Sequence, residues 1–193
     1  PSKEHAKTKA MMFGAPDVWD ALMRKIAAIS AAYLKVQVEA GASAVQLFDS
    51  WAGAMGPADY ERYVMPYSAS VLAAAGELGV PRIHFGVGTG ELLGLMGDAG
   101  ADVVGVDWRV PLDAARTRIP DGVGTQGNLD AAAVLAPWEV VEERTRDVLR
   151  RSGGRPDHVF NLGHGVLPQT DPDTLARVVE LVHREGRTDG TVA

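Results

Sequence analysis

Short apolar runs alternate with helical segments along nearly the whole chain, and four of the helical segments open on proline, at Pro57, Pro111, Pro137 and Pro172. Proline has no amide hydrogen and a fixed φ, so a first helical turn tolerates it while a helix interior or a central strand does not. The strand-like runs cover residues 44–48, 82–87, 103–108, 123–127 (the weakest) and 158–162. Short apolar strands separated by helices predict β-α units around a parallel sheet. The repeat lengths are irregular, which excludes a solenoid, and no linker divides residues 1–186.

The longest helical pattern runs from 17 to 40, with Trp19, Leu22, Ile26, Ile29, Tyr33 and Val36 at three- and four-residue spacing and Gly41 as its C-terminal stop. The helix opened by Pro57 should break at Pro66 and continue over 68–78. Further short helices are expected over 90–97 and 111–118, and longer ones over 137–151 and 171–185. Asp171 is placed to cap the last. Residues 187–193 read as a flexible tail.

The chain has 193 residues, enough for one substantial core. A net charge of −6 argues against a nucleic-acid surface, leaves no polybasic membrane patch, and means that an anionic ligand needs a local positive site. With no cysteine, thiolate chemistry, disulfides and cysteine zinc sites are excluded. No apolar run reaches the roughly 20 residues of a membrane span, and the start lacks a signal-peptide pattern. The expected location is the cytoplasm.

Five strands are too few to close an eight-stranded barrel, and the pattern alone permits an open sheet or most of a barrel. Both gather ligands at the C-terminal ends of their strands. Ser50, Gly88, Trp108, Asn128 and His164 fall there. His164 stands between Gly163 and Gly165 at one exit, and Ser50 and Gly53 follow another. Two polar side chains at glycine-flanked exits suggest one shared site. The bland alternatives are a surface histidine and a serine that caps its own turn.

The segments Gly41-Ala42-Ser43-Ala44-Val45-Gln46-Leu47-Phe48-Asp49-Ser50, Val103-Val104-Gly105-Val106-Asp107-Trp108, Gln126-Gly127-Asn128-Leu129-Asp130 and Asn161-Leu162-Gly163-His164-Gly165 resemble the uroporphyrinogen decarboxylase family. They occur in order over nearly the whole chain, and together they are highly specific. The resemblance implies a (β/α)8 barrel of α/β class that removes carbon dioxide from the four acetate side chains of uroporphyrinogen III to give coproporphyrinogen III in haem biosynthesis. It also implies a homodimer that uses no metal or organic cofactor. Ser50 and His164 match the family's substrate contacts, and Phe48 matches a pocket phenylalanine. Family members are roughly twice this size. The chain would then be the C-terminal part, about five β-α units, without the arginine-rich loop, the central aspartate and a tyrosine of the family site. No catalytic residue is assigned within it, Asp49 and Asp107 included.

A non-catalytic remnant that binds tetrapyrroles or pairs with another chain is the rival of a different class. Gly86-Val87-Gly88-Thr89-Gly90-Glu91 mimics a dinucleotide fingerprint but puts a carboxylate where the third glycine and the pyrophosphate belong. His84-Phe85-Gly86 lies where related cobalamin-dependent methyltransferases carry a His-x-Cys zinc pair, and here the second ligand is glycine. His84 is read as packing or as support for the site. His5, His158 and His183 are read as surface residues, and 142–151 as a solvated helix face. Trp19, Trp108 and Trp138 are read as packing residues, with Trp51 at the pocket mouth.

Overall fold

The computed structural model describes residues 4–186, and the tail expected over 187–193 lies outside the described residues. A helix not anticipated from the sequence, α1 (Ala6–Gly14), precedes α2 (Pro16–Glu39). The two part at Ala15, because the ring of Pro16 drives the residue before it out of the helical region. Strand β1 (Val45–Phe48) passes through a 3-10 turn at Ala52–Ala54 into α3 (Pro57–Tyr63) and α4 (Met65–Gly76). The expected interruption falls at Val64, which leaves Pro66 in the first turn of α4, where its missing amide costs nothing. There follow β2 (Arg82–Phe85), α5 (Leu93–Asp98), β3 (Val103–Gly105), α6 (Leu112–Arg116), β4 (Gly124–Leu129), α7 (Trp138–Ser152), β5 (His158–Leu162) and α8 (Pro172–Glu185). Pro57 and Pro172 occupy first turns, whereas Pro111 and Pro137 are themselves the N-cap residues. Strand β4, expected to be weak, is six residues long and buried throughout. Its place between β3 and β5 overrides the low strand propensity of its two glycines.

Asp171 caps α8 as its position suggested, its carboxylate accepting the Asp173 amide hydrogen at 3.0 Å. Asp171→Ala is expected to cost about 1 kcal/mol. Denaturant unfolding checks this, and an unchanged midpoint would show that the cap contributes nothing.

The five strands are parallel and lie in the order β1-β2-β3-β4-β5. Val45, Leu47, Val104, Val106, Phe160 and Leu162 face the helices and join the core. Gln46, Phe48, Phe85, Gln126 and Asn161 face the opposite, concave side and line a hollow there. Gln126 Nε2 donates to Gln46 Oε1 at 3.0 Å, although β1 and β4 are three strands apart. In a flat sheet three spacings would separate those backbones by on the order of 14 Å, so the sheet is strongly curled. A doubly wound sheet carries helices on both faces. Helices on one face and cross-sheet contact on the other decide between the two architectures in favour of barrel curvature.

Most of the apolar stripe that marks α2 as a helix faces outward. Trp19 is buried, but Leu22, Ile26, Ile29, Tyr33 and Val36 are 39–67% exposed. The buried strip is Trp19, Ala27 and Leu34, and the last two pack with Val71 and Ala75 of α4, where a small alanine lets the helices approach. A contiguous apolar face of this kind is a surface on which another chain can pack. Strands β1 and β5 add open edges, each with one neighbour among the described residues. The chain by itself is therefore expected to self-associate, and the triple change Leu22→Lys, Ile29→Lys, Tyr33→Lys to shift it toward the monomer. Light scattering after gel filtration would read this, and an unaltered mass distribution would clear the helix face of any role.

Candidate functional site

Each strand hands its next residues to the concave rim. At the exit of β1 the alternation of a strand turns Phe48 toward the hollow and Asp49 toward the helices. Two adjoining hollows of about 310 and 450 Å³ share Phe48, Phe85, His164 and Gly165, and Ser50 and Trp51 line the larger. The two exits are thus brought together, with Phe48, Ser50 and His164 around one space. Among the described residues neither the Ser50 hydroxyl nor the His164 imidazole has a hydrogen-bond partner, so Ser50 does not cap its turn.

Glycine shapes this rim by close approach. A Cβ on Gly53 would lie 2.3 Å from the Val87 carbonyl oxygen, and one on Gly163 would lie 2.5 Å from the Trp108 backbone nitrogen. The turn after β1 therefore presses on the loop after β2, and the His164 segment presses on the end of β3. Trp108, read from the sequence as a packing residue, packs at the rim: its ring is T-shaped to the His164 ring at 5.8 Å, and the Arg109 guanidinium lies over it at 3.9 Å. Buried Asp107 holds that arrangement: it accepts from the Gly88 amide and from Arg109 Nη1. Asn128, a rim candidate in the sequence, is turned into the structure, donating to the carbonyls of Asp107 and Val110 at 2.9 and 2.6 Å. It braces the rim and does not line the two hollows. Trp51 is 75% exposed and meets the ring of His5, which is therefore not a bare surface residue.

Behind the rim lies a polar cluster that the sequence did not reveal. Asp49 Oδ2 accepts from Ser68 Oγ at 2.8 Å and Tyr60 OH at 3.1 Å, and His84 Nε2 lies 2.8 Å from it. His84 is wholly buried, and its Nδ1 meets the Met96 carbonyl at 3.2 Å. Burial alone would raise the Asp49 carboxyl. The hydrogen bond and charge of His84, with hydrogen bonds from Ser68 and Tyr60, outweigh it and hold the group below the usual carboxylate range. The Tyr60 phenol is pushed up, by burial first and then by the Asp49 charge. The one available signal was register: His84 pairs with Leu47, so its side chain shares the helix-facing side with Asp49.

His158, also read as a surface residue, is half-buried. Its Nδ1 pairs with Thr125 Oγ1 at 3.0 Å, and its Nε2 is buried without a partner among the described residues. Burial lowers the His158 imidazole against the raising influence of Thr125 and Asp157. The folded protein then binds this proton less readily than the unfolded chain. The contribution is complete above the ordinary histidine value near 6.5 and is lost as the pH falls from there through the lower folded value. The depressed Asp49 contribution persists further and is lost as the pH falls through its folded value, below about 4. Stability is expected to decline in two steps on acidification, with His158→Gln abolishing the upper one. Urea midpoints between pH 8 and pH 3 test this.

The rival motifs resolve plainly. Glu91, in the third glycine position of the mimic fingerprint, is exposed and paired with Arg118 at 2.9 Å. His84, at the position of the methyltransferase zinc pair, has both ring nitrogens engaged by Met96 and Asp49. The helix face at 142–151 carries the expected internal pairs, but it also reaches outward from Arg146 to Glu185 and from Arg151 to Asp113. Trp19 and Trp138 do pack, the latter under Arg177, and His183 is exposed.

Consecutive parallel β-α units in a curled sheet, with the helices of the described residues on one face, define a β/α-barrel architecture, and the polar side chains of Ser50 and His164 stand at its C-terminal strand ends. Residues 1–185 match the family described as Uroporphyrinogen decarboxylase (URO-D), and the chain belongs to that family. The curled sheet is an incomplete portion of its (β/α)8 barrel. Among curated relatives, the uroporphyrinogen decarboxylase of Nocardioides sp. is 68% identical over 182 residues, covering 94% of this chain and 52% of that protein. Those of Salinispora tropica and Thermobifida fusca are each 61% identical, covering 95% and 96% of this chain and 49% and 51% of theirs. The chain thus spans about half the length of the relatives it matches. No helix among the described residues is long and apolar enough to cross a membrane.

Proposed function

We propose that this chain forms the rim of a site that decarboxylates the four acetate side chains of uroporphyrinogen III to give coproporphyrinogen III in haem biosynthesis. Phe48, Ser50 and His164 are its substrate contacts, in a cytoplasmic homodimer. The observation that carries the reading is the convergence of two unpartnered polar side chains, Ser50 and His164, on a space walled by Phe48 and Phe85. The hydroxyl and the imidazole can each donate to a substrate carboxylate, while the two phenyl rings offer apolar surface to a macrocycle.

Loss of carbon dioxide from a pyrrole acetate leaves a carbanion unless the ring is protonated first. The protonated ring accepts the electron pair, and a nearby carboxylate stabilises its positive charge. Asp49 and Asp107 are unsuited to that task. The first is committed to Tyr60, Ser68 and His84, and the second to Gly88 and Arg109. On this reading the charge-stabilising carboxylate and the cations for an anionic substrate are supplied from outside this chain, and its own residues bind and orient.

The experiment joins this chain behind the upstream half of the Nocardioides relative and follows coproporphyrinogen formation. Turnover is expected from the fusion and none from the chain alone. Within the fusion, His164→Asn removes a hydrogen bond to a charged group, worth about 1.5–3 kcal/mol, or roughly one to two orders of magnitude in kcat/KM. A contact made equally in ground and transition states appears mainly in KM. Wild-type kinetics in that variant would make His164 a bystander. A folded fusion that binds a tetrapyrrole without converting it would favour the remnant.

A further inference from the structure

Asp49 lies between two proposed substrate contacts, yet its side chain points the opposite way. The strand alternation that sends Phe48 to the hollow sends Asp49 into the helix layer, where α3, α4 and β2 each supply a partner through Tyr60, Ser68 and His84. The backbone at the same residue is held as well: its amide donates to the Phe85 carbonyl at 2.8 Å, and its carbonyl accepts from Ala52 at 3.0 Å. Rotation of the segment would break all of these contacts together.

The protons on His84 follow from its neighbours. Nδ1 faces a carbonyl, which can only accept, so Nδ1 carries a hydrogen. Nε2 faces a carboxylate oxygen that already receives hydrogen bonds from a phenol and a hydroxyl. An ionised carboxylate is the form that accepts from all three, and Nε2 then carries a hydrogen too. Tyr60 is the other titratable group touching the pair. Among the described residues no lysine or arginine forms an ion pair with Asp49.

We propose that the buried Asp49–His84 ion pair is a positioning device that fixes the β1 exit, so that Phe48 and Ser50 hold their places in the substrate site. This rests on the functional reading above. Asp49 and His84 touch no substrate and act through the turn. A burial-only role for His84 would be served equally by a neutral aromatic ring, whereas the positioning role requires a cation and an anion.

The test uses the fusion with the Nocardioides upstream half. Asp49→Asn and His84→Gln keep size while removing charge, and each is expected to lower kcat/KM roughly 10- to 100-fold, as a displaced contact does. The double variant is expected to be no worse than either single one, because both break the same unit. Two additive losses, or wild-type kinetics in both folded single variants, would overturn the proposal. A second readout does not depend on turnover. In nitrogen-15 spectra of the wild type at neutral pH, both His84 ring nitrogens should carry protons, and the Ser50 amide and Trp51 indole signals should shift in either variant. An unprotonated Nε2 overturns the proposal even if no variant folds. If the fusion shows no turnover while the spectra behave as expected, the functional reading fails and the pair stands.

Discussion

Tyr60→Ala is expected to lower the unfolding free energy by about 3–5 kcal/mol, the range for removing a fully buried aromatic side chain. Tyr60 has no exposed surface, sits within the main core cluster, and donates to Asp49 from α3. The loss therefore has two parts, a cavity between α3 and the sheet and a missing donor on a buried carboxylate. Tyr60→Phe separates them: it keeps the ring and forfeits a hydrogen bond to a charged carboxylate, for about 1.5–3 kcal/mol. Denaturant unfolding of both variants is the measurement. Equal destabilisation by the two would mean that the hydroxyl, and not the ring, carries the effect.

Gly163→Ala is expected to damage both stability and the site. The added methyl would sit 2.5 Å from the Trp108 nitrogen and 3.1 Å from the Asp107 carbonyl carbon, both backbone atoms. Backbone cannot swing aside as a side-chain tip can, so β5 or the end of β3 must shift, at about 1–3 kcal/mol for a core overpacked in this way. His164 is the next residue, and its ring lies against Trp108. A displacement of that size would carry the imidazole off its place, for which a loss on the order of 100-fold in kcat/KM is expected. Thermal unfolding and turnover of the fusion would both respond. A variant with wild-type stability would show that the contact relaxes freely.

Local rules reach the strands and helices but not everything those elements touch. The β-α alternation, the cap at Asp171 and the interruption near Pro66 were legible because each depends on neighbours within a few positions. The rim was legible for Ser50 and His164 for the same reason, since a polar residue and a glycine at a strand end are local signals. Helix α1 was not, for it has no clear apolar stripe of its own. On α2 the periodicity identified the helix but did not say which face is buried: close packing on α4 selects a strip containing Ala27 and Leu34. The surroundings of Trp108, His158 and Asn128 were not legible because each meets residues of another β-α unit: His164, Thr125, and Asp107 with Val110. Asp49 and His84 could be paired only after the register of β1 and β2 was known.

The interleaving of the two faces has an evolutionary consequence. Along β1 and β5, one parity of positions carries Val45, Leu47, Phe160 and Leu162, which hold the helices on. The other carries Gln46, Phe48 and Asn161, which look into the hollow. Two scripts are written in alternate letters on the same strands. Point substitutions can revise the ligand-facing script while the packing script stays intact, so substrate preference is free to drift without loss of the scaffold. Insertion or deletion of a single residue inside a strand exchanges the scripts wholesale. Length variation in descendants of this chain should therefore accumulate in the loops on the amino-terminal side of the strands, away from the glycine-meshed rim.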